Sequence, residues 1–178
     1  MNTKSELNSI LAGYFAKIVK NLISNKKNEM YEYIVESKKS IVLIDHCNNI
    51  SISDIIQALL KKIENIPENK ATINYQAKIF QDLLFKLSNS FLNYEYVKSI
   101  SKIFEQLLET ENDYFDKLFS GELCNILHRF ALENTKLNFG LAFSLISKFL
   151  KKINEGKKAE SLDFDVSNFL KISHKFLF

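Results

Sequence analysis

The sequence predicts an all-α protein built as an α–α superhelix of the HEAT or armadillo kind, with nine to ten helices. Apolar residues recur in steps of three and four along most of the chain, which is the spacing of one face of an α-helix. Turn-forming residues are rare, since the 178 residues include four glycines and one proline. β-sandwiches, barrels and doubly wound folds need many more of them. Helix pairs joined by short polar segments are typical of a solenoid, with a compact helical bundle as the alternative.

The first three helices are predicted from apolar spacing interrupted by polar segments. A long helix is expected over residues 7–23, followed by a short helix over 29–35 and another that begins at Ile41 and ends near Asn48 and Asn49. One broad apolar face of the long helix is formed by positions 7, 10, 11, 14, 15, 18, 19, 22 and 23. Gly13 lies within this helix, where glycine costs about 1 kcal/mol relative to alanine. We therefore expect a neighbouring helix to approach closely at Gly13.

The fourth helix is predicted from a capping signal and a stop signal. Ser51 or Ser53 is expected to cap it, because a serine side chain there accepts a backbone N–H of the first turn. Asp54 would then lie in the first turn, where a carboxylate interacts favourably with the helix dipole. Pro67 ends the helix, since proline cannot continue helical hydrogen bonding.

The rest of the chain continues the helical pattern. Further helices are predicted over residues 69–92, 94–108, 112–119, 122–132, 135–153 and 162–178. Consecutive helices with short connections are expected to pack as antiparallel hairpins, which gives a single helical-repeat domain over residues 1–178. The final Phe-Leu-Phe lacks the polar face that ends a solenoid, so either this end docks on the core or the domain is a fragment of a longer one, and we favour the fragment.

Composition argues against nucleic-acid and membrane-spanning functions. The net charge is +3, from 24 basic and 21 acidic residues, and Arg129 is the only arginine. Proteins that read nucleic acids concentrate basic residues and use arginine for base contacts, so no nucleic-acid partner is expected. No apolar run approaches the ~20 residues of a membrane span, and the first residues lack a signal-peptide pattern. The sequence therefore predicts a cytoplasmic or nuclear protein without a membrane span.

Residues that carry chemistry do not form a recognisable site in the sequence. Cys47 and Cys124 are not part of a Cys-x-x-Cys pair, and we expect both in the core. His46 precedes Cys47, but adjacent helical side chains diverge by about 100°, which disfavours a Cys–His dyad. Phosphate-binding loops and hydrolase motifs do not occur. We predict no enzyme activity, cofactor, metal or small-molecule substrate; a helical enzyme with a site near His46, Cys47 or His128 is the least favoured alternative.

Aromatic residues are plentiful, with fifteen phenylalanines and seven tyrosines. Most phenylalanines, Phe85 among them, fall at core spacing. Four tyrosines are less easily buried together, namely Tyr31, Tyr33, Tyr94 and Tyr96. Because tyrosine is enriched at binding hot spots, we expect some of these to be surface anchors.

Several segments resemble one family of helical proteins. The family's N-terminal pattern is matched by LNSILAGYFAKIVKNLI, with Ala12, Gly13, Tyr14, Phe15 and Lys17 in register. Its next segment is matched by IVLIDHCNNISISDIIQALL, with His46, Ser51, Ser53, Asp54, Ile55 and Ile56 on the pattern. Weaker matches follow in the same order, INYQAKIFQDLL and ENTKLNFGLAFSLISKFL, the latter with Lys136 in place of an arginine. These segments are similar to the SAPS family, the phosphatase-associated regulatory subunits of protein phosphatase 6.

The resemblance implies a non-catalytic regulatory or scaffold subunit that binds a serine/threonine phosphatase of the protein phosphatase 6 type. The candidate contact residues on this interpretation are Tyr14, Lys17, His46, Asp54, Lys136 and Asn138. The alternative role for four of them, Tyr14, His46, Asp54 and Asn138, is to stabilise turns and helix caps. The alternative function is an armadillo- or HEAT-like adaptor for other proteins, which a basic or aromatic peptide groove would favour.

Overall fold

The computed structural model describes residues 7–61, 70–89 and 93–109, together with helical positions 140, 141, 144, 145, 147, 148 and 151. In these residues there are six α-helices and no β-strand, which confirms the predicted all-α class. The helices are α1 (Ser9–Asn25), α2 (Lys27–Glu36), α3 (Lys39–Asp45), α4 (Ile50–Leu60), α5 (Lys70–Asn89) and α6 (Tyr94–Leu108).

The six helices in the described ranges are fewer than the nine to ten predicted from the sequence. Each of the six begins within about three residues of a predicted start, the usual precision for helix ends. The helix predicted over residues 135–153 coincides with the helical positions between 140 and 151. The helices predicted over 112–119, 122–132 and 162–178 lie outside the described residues.

The chain divides into two compact units, Met1–Asn89 and Ser90–Phe178. Helices α1 to α5 belong to the first unit and α6 to the second.

Asparagine side chains cap three of the helices. The Asn8 side chain accepts the amides of Ile10 and Leu11, at 3.0 and 3.2 Å, at the start of α1. Asn49 accepts the Ser51 amide at 3.0 Å at the start of α4, and Asn93 caps α6. The predicted serine cap of α4 is therefore wrong, because an asparagine two residues earlier satisfies the same backbone donors.

The earlier start of α4 also changes the position of Asp54. This residue lies beyond the first turn, which contains no acidic residue. Its carboxylate instead points towards α1, where Asp54 Oδ2 lies 3.5 Å from Lys20 Nζ. The predicted interaction of Asp54 with the helix dipole is therefore wrong.

The connections between the first three helices are very short. Lys26 alone joins α1 to α2: its amide donates to the Leu22 carbonyl at 2.7 Å, and its own carbonyl accepts the Met30 amide at 3.0 Å. The next corner contains Lys38 in the left-handed backbone region, with φ of 55°. A side chain in that region is strained by roughly 1 kcal/mol, since Cβ crowds the backbone there.

The helices of the first unit do not pack only as consecutive hairpins. α1 packs most extensively against α4, and α5 packs against α2, α3 and α4. Two polar contacts join α3 to α5: Ser40 Oγ donates to Asp82 Oδ2 at 2.9 Å, and Lys86 Nζ lies 2.6 Å from Asp45 Oδ1. The prediction of sequential antiparallel hairpins is therefore too simple, because helices distant in sequence form the main interfaces.

The core of the first unit is aliphatic with a small polar cluster inside it. The Tyr31 hydroxyl, which is fully buried, donates to the Leu59 carbonyl. Gln76 Nε2 donates to both, at 3.2 Å from the Tyr31 hydroxyl oxygen and 3.3 Å from the Leu59 carbonyl. The Tyr31 ring also stacks on Tyr75, with the ring centroids 6.3 Å apart. This cluster joins α2, α4 and α5 through one satisfied set of hydrogen bonds.

Gly13 faces the first turn of α4 without an unusually close approach. A Cβ atom built at Gly13 would lie 3.9 Å from Ser51 Oγ, which is ordinary van der Waals contact. The prediction that a neighbouring helix approaches unusually closely at Gly13 is therefore wrong.

In the second unit, α6 presents one strongly apolar face and a polar face. The buried residues are Val97, Ile100, Ser101, Ile103, Phe104, Leu107 and Leu108. On the polar side, Glu105 accepts the Ser144 hydroxyl at 2.9 Å and lies 3.0 Å from Lys148 Nζ. The helical positions near residue 145 therefore contact α6 through Glu105.

Candidate functional site

Helix α1 is apolar on two opposite sides. Its buried side consists of Ala12, Ala16, Val19 and Ile23, each at most 6% exposed. Residues 10, 11, 14, 18 and 22 lie on the other side of the helix, because successive residues are rotated by about 100°. Only one of these two apolar sides faces the core of the first unit.

The outward set, which we call the α1 stripe, comprises Ile10, Leu11, Tyr14, Ile18 and Leu22. Their exposed fractions run from 41% for Leu22 to 69% for Ile10. Five side chains of this size present an apolar area on the order of 500 Å², which is at the upper end for a monomeric protein and typical of contact surfaces. The spacing also runs along nearly the whole helix, so the α1 stripe is a continuous seam.

The predicted broad apolar face of this helix is only partly buried. Its members Leu11, Ile18 and Leu22 are exposed, whereas Ala12 and Ala16, which were not part of the predicted face, are buried. Alanines on the inner side let α4 pack closely against α1, in keeping with the high packing density of protein cores. Apolar spacing alone does not say which side faces inward when a helix carries two apolar stripes.

The border of the α1 stripe is basic. Lys17 is exposed and follows Tyr14 by three residues, which puts it on an adjacent part of the helix surface. Lys20 follows by one further turn and pairs with Asp54 of α4 at 3.5 Å. The α1 sequence Ser9–Asn25 contains no aspartate or glutamate. This surface therefore combines an apolar seam with an uncompensated positive edge at Lys17.

The candidate contact residues occupy different parts of the molecule. Tyr14 is a member of the α1 stripe and Lys17 borders it, while Asp54 reaches α1 through Lys20. His46 is half-buried at the C-terminal end of α3, where its amide donates to the Leu43 carbonyl at 3.1 Å. The structure thus groups Tyr14, Lys17 and Asp54 around α1 and places His46 at a helix end. The other two candidates, Lys136 and Asn138, lie outside the described residues.

Cys47 is a core residue, as its apolar context predicts. The side chain is fully buried, and burial raises the pKa of its thiol to about 12, with the positive charge of Lys86 opposing the increase. The thiol is therefore protonated at neutral pH and is a poor nucleophile. The alternative of a cysteine-based site at His46 and Cys47 gains no support. Cys124 and His128 lie outside the described residues.

A second surface feature is an acidic groove on α2. It has a volume of about 350 Å³ and is lined by Glu29, Glu32, Tyr33, Glu36 and Ser37. Tyr75 of α5 lies beside it, and desolvation, followed by the charges of Glu36 and Glu32, raises the pKa of its hydroxyl. Of the basic or aromatic character expected of a peptide adaptor's groove, this groove has an aromatic residue at Tyr33 and an acidic lining in place of a basic one.

The aromatic residues are divided between core and surface. Tyr33 is exposed, which agrees with the expectation of a surface anchor, whereas Tyr31 is buried and Tyr94 and Tyr96 are half-buried. Phe85 was expected in the core and is 72% exposed on α5. Its neighbours Leu83, Leu84 and Leu87 form the buried side of α5 instead.

No group of three or more histidine, cysteine, aspartate or glutamate side chains in the described ranges is arranged to hold a metal ion. In the same part of the chain, no helix combines the length and apolar character that a membrane span requires.

The most informative surface residues were missed because the sequence signal is ambiguous. Leu11, Ile18 and Leu22 have the spacing of a core face, and nothing local distinguishes them from one. The signal that could have identified them is the second stripe of Ala12, Ala16, Val19 and Ile23, which has the same spacing and includes two small alanines. When a helix has two apolar stripes, one stripe packs against the core and the other is left exposed.

Comparisons with known proteins do not assign the chain to a family. No protein-family model matches the sequence. No curated protein matches it significantly, and no solved structure does so either.

Proposed function

We propose that this chain is a non-catalytic regulatory or scaffold subunit that binds a serine/threonine phosphatase of the protein phosphatase 6 type through the α1 stripe. The observation that carries the proposal is a seam of five exposed apolar side chains on one helix, bordered by Lys17. A surface of this kind contributes binding energy by removing apolar area from water, and it needs no reactive group. The cytoplasm or nucleus, where such a phosphatase acts, is the proposed location.

The phosphatase enters the proposal through the SAPS resemblance. The matched segment LNSILAGYFAKIVKNLI contains the whole α1 stripe, including Tyr14, together with Lys17. Tyrosine supplies a large rigid contact with a polar tip, and such residues dominate binding energy when they become buried at an interface. The segment that carries the resemblance is therefore also the segment with the largest exposed apolar seam among the described helices.

The helix packing supports an armadillo-like repeat for the first unit. α1 contacts α4, and α2 contacts α5, so each of these helices packs against the one three places further along the chain. That is the pattern expected when repeats of three helices stack on one another. In such a stack α3, with seven residues, would be the short first helix of the second repeat.

The proposal is tested by capture of a purified protein phosphatase 6 type catalytic subunit with the full chain immobilised. We expect capture by the wild type and loss of at least tenfold in the Leu11→Gln/Ile18→Gln variant. Glutamine keeps a high helix propensity, so these exposed substitutions should change the free energy of unfolding by less than about 1 kcal/mol. Circular dichroism and thermal melts verify that the variant is folded.

Phe85→Gln is the matched control. Phe85 is as exposed as the residues of the α1 stripe but lies on α5, so its replacement should leave capture unchanged. Absence of enrichment over a blank matrix would show that the phosphatase is the wrong partner. Capture that survives the double substitution would show that the α1 stripe is the wrong surface.

The second candidate function is an armadillo- or HEAT-like adaptor for other proteins. The groove on α2 is the observation that bears on it, because Tyr33 supplies an exposed aromatic ring beside Glu29, Glu32 and Glu36. Its acidic lining suits lysine-rich peptides. Binding of such a peptide that is lost in Tyr33→Ser, without capture of the phosphatase, would favour this candidate.

A further inference from the structure

We propose that the α1 stripe is the docking face for an acidic amphipathic helix of the partner protein. This inference rests on the proposed function, since it specifies the partner element that the same surface receives. It goes further by committing to the shape and the charge of that element, both of which follow from α1.

The shape follows from the length and straight course of the seam. Leu11, Tyr14, Ile18 and Leu22 follow one another at intervals of three and four residues, so they span about 16 Å along α1. A partner helix with apolar residues at the same intervals can place them between those of α1 by ridges-into-grooves packing. An exposed apolar helix face is one of the standard ways in which proteins accept an amphipathic helix.

The charge follows from the residues that border the seam. α1 carries Lys17 and Lys20 and no acidic residue, and Lys20 already pairs with Asp54. The exposed ammonium of Lys17 therefore lacks a carboxylate on its own helix. Charge complementarity favours a partner with glutamate or aspartate beside its apolar residues, because like charges at an interface oppose association.

The same charge disfavours a second copy of this chain as the occupant. In an antiparallel pair of α1 helices centred between Tyr14 and Ile18, the two Lys17 side chains would lie on one side of the interface. They would be offset by only about 3 Å along the helix axes, given a rise of 1.5 Å per residue. Because packed helix axes are about 8–10 Å apart, the two ammonium groups would lie roughly 10 Å from each other and would repel each other at low salt.

The experiment compares two synthetic helical peptides of about 18 residues, or five turns. Both carry leucines at intervals of three and four; one has glutamates beside them and the other has lysines at the same positions. Binding of each labelled peptide to the full chain is measured by fluorescence anisotropy at low salt. We expect the acidic peptide to bind at least tenfold more tightly than the basic peptide.

Two substitutions separate the apolar from the charged contribution. Ile18→Gln should weaken binding of the acidic peptide by at least tenfold, whereas Phe85→Gln should leave it unchanged. Lys17→Glu should reverse the preference between the two peptides without altering the thermal melt. A reversal of this kind would not arise from a purely structural role of Lys17.

Four outcomes would overturn the inference: equal binding of both peptides, no binding of either, a concentration-dependent dimer that Ile18→Gln dissolves, or α1-dependent binding to vesicles of phosphatidylcholine and phosphatidylserine. The dimer would assign the seam to a second copy, and vesicle binding would assign it to a lipid surface. If phosphatase capture depends on the α1 stripe while the peptides show no preference, the proposed function stands and only the acidic helix is wrong.

Discussion

At the residue scale, the Tyr31 hydroxyl connects three helices of the first unit. It donates to the Leu59 carbonyl of α4 and accepts from Gln76 of α5. Losing this hydrogen bond is costly, because its buried partners cannot form a replacement hydrogen bond with water. When the Tyr31 hydroxyl is removed, Gln76 can still donate to the Leu59 carbonyl, and this limits the loss of stability.

We predict that Tyr31→Phe lowers the free energy of unfolding by about 1–2 kcal/mol, the usual effect of removing one buried hydrogen bond. Urea unfolding followed by circular dichroism measures the change. Tyr33→Phe is the matched control, since the Tyr33 ring is exposed and its hydroxyl should contribute little. Equal stabilities for the two variants would contradict the assigned role of Tyr31.

A second prediction at this scale concerns Cys47 in alkali. Its pKa is about 12 in the folded protein and 9.0 ordinarily, so the folded state binds the proton more tightly. The raised pKa of Cys47 contributes to the free energy of unfolding. This contribution is fully present below pH 9 and is lost as the pH rises to about 12.

The free energy of unfolding of the wild type, taken relative to that of Cys47→Ala, should therefore fall by up to about 2 kcal/mol between pH 8 and pH 10.5. Urea unfolding of both proteins at the two pH values tests this, because other titrating groups are common to both and cancel. A difference in stability that stays constant with pH would show that Cys47 is accessible to solvent in the folded state.

At the element scale, α1 shows how far sequence patterns reach. The steps of three and four residues correctly predict a helix at this place, because no other regular structure has that spacing of apolar residues. They do not identify the inner side, since Ala12 and Ala16 give a weaker hydrophobic signal than Leu11 and Ile18. The choice is made by the fit of α1 against α4, which is a tertiary property.

The cap of α4 shows a similar limit. Asn49, Ser51 and Ser53 all have side chains that can cap a helix, and they occur within five residues. The structure uses Asn49, whose side chain accepts the Ser51 amide. Local propensity ranks these residues nearly equally, so propensity alone does not choose between them.

Gly13 offers a test of this packing. We predict that Gly13→Ala raises the free energy of unfolding by about 0.5–1 kcal/mol, because alanine has the higher helix propensity and the added methyl makes only ordinary contact with Ser51. Thermal melts of the variant measure the effect. A lower melting temperature would mean that α1 and α4 approach more closely at Gly13 than their packing indicates.

At the scale of the whole molecule, the stability of the described units rests on apolar burial more than on ion pairs. Every described ion pair has at least one partner more than a third exposed, and such pairs contribute about 0–1 kcal/mol each. Most of the buried residues in the described ranges, in contrast, are hydrophobic, with six polar or charged ones among them.

We therefore predict that raising sodium chloride from 0.1 to 0.5 M changes the free energy of unfolding by less than about 1 kcal/mol, since screening acts mainly on the exposed pairs. Urea unfolding at both salt concentrations tests it. A loss of several kcal/mol would indicate that charge pairs contribute far more to the fold than their exposure implies.

The fold class could be predicted from composition and spacing, whereas the division into two units could not. The boundary lies in the short polar run 88–90, without proline or glycine, and a longer polar run at 25–29 lies inside the first unit, so the sequence does not single out the boundary. The packing of α1 on α4 was equally hidden, because it joins segments about forty residues apart. Both features depend on which apolar sides meet, and spacing does not encode that choice.

The single residue between α1 and α2 has a consequence for recognition. Because both the amide and the carbonyl of Lys26 are engaged by the flanking helices, α1 has little freedom to swing relative to α2. The α1 stripe is thus preorganised. On binding, an incoming helix would lose conformational entropy, whereas α1 would lose little. Association would then proceed as rigid docking, with its rate set by diffusion and orientation.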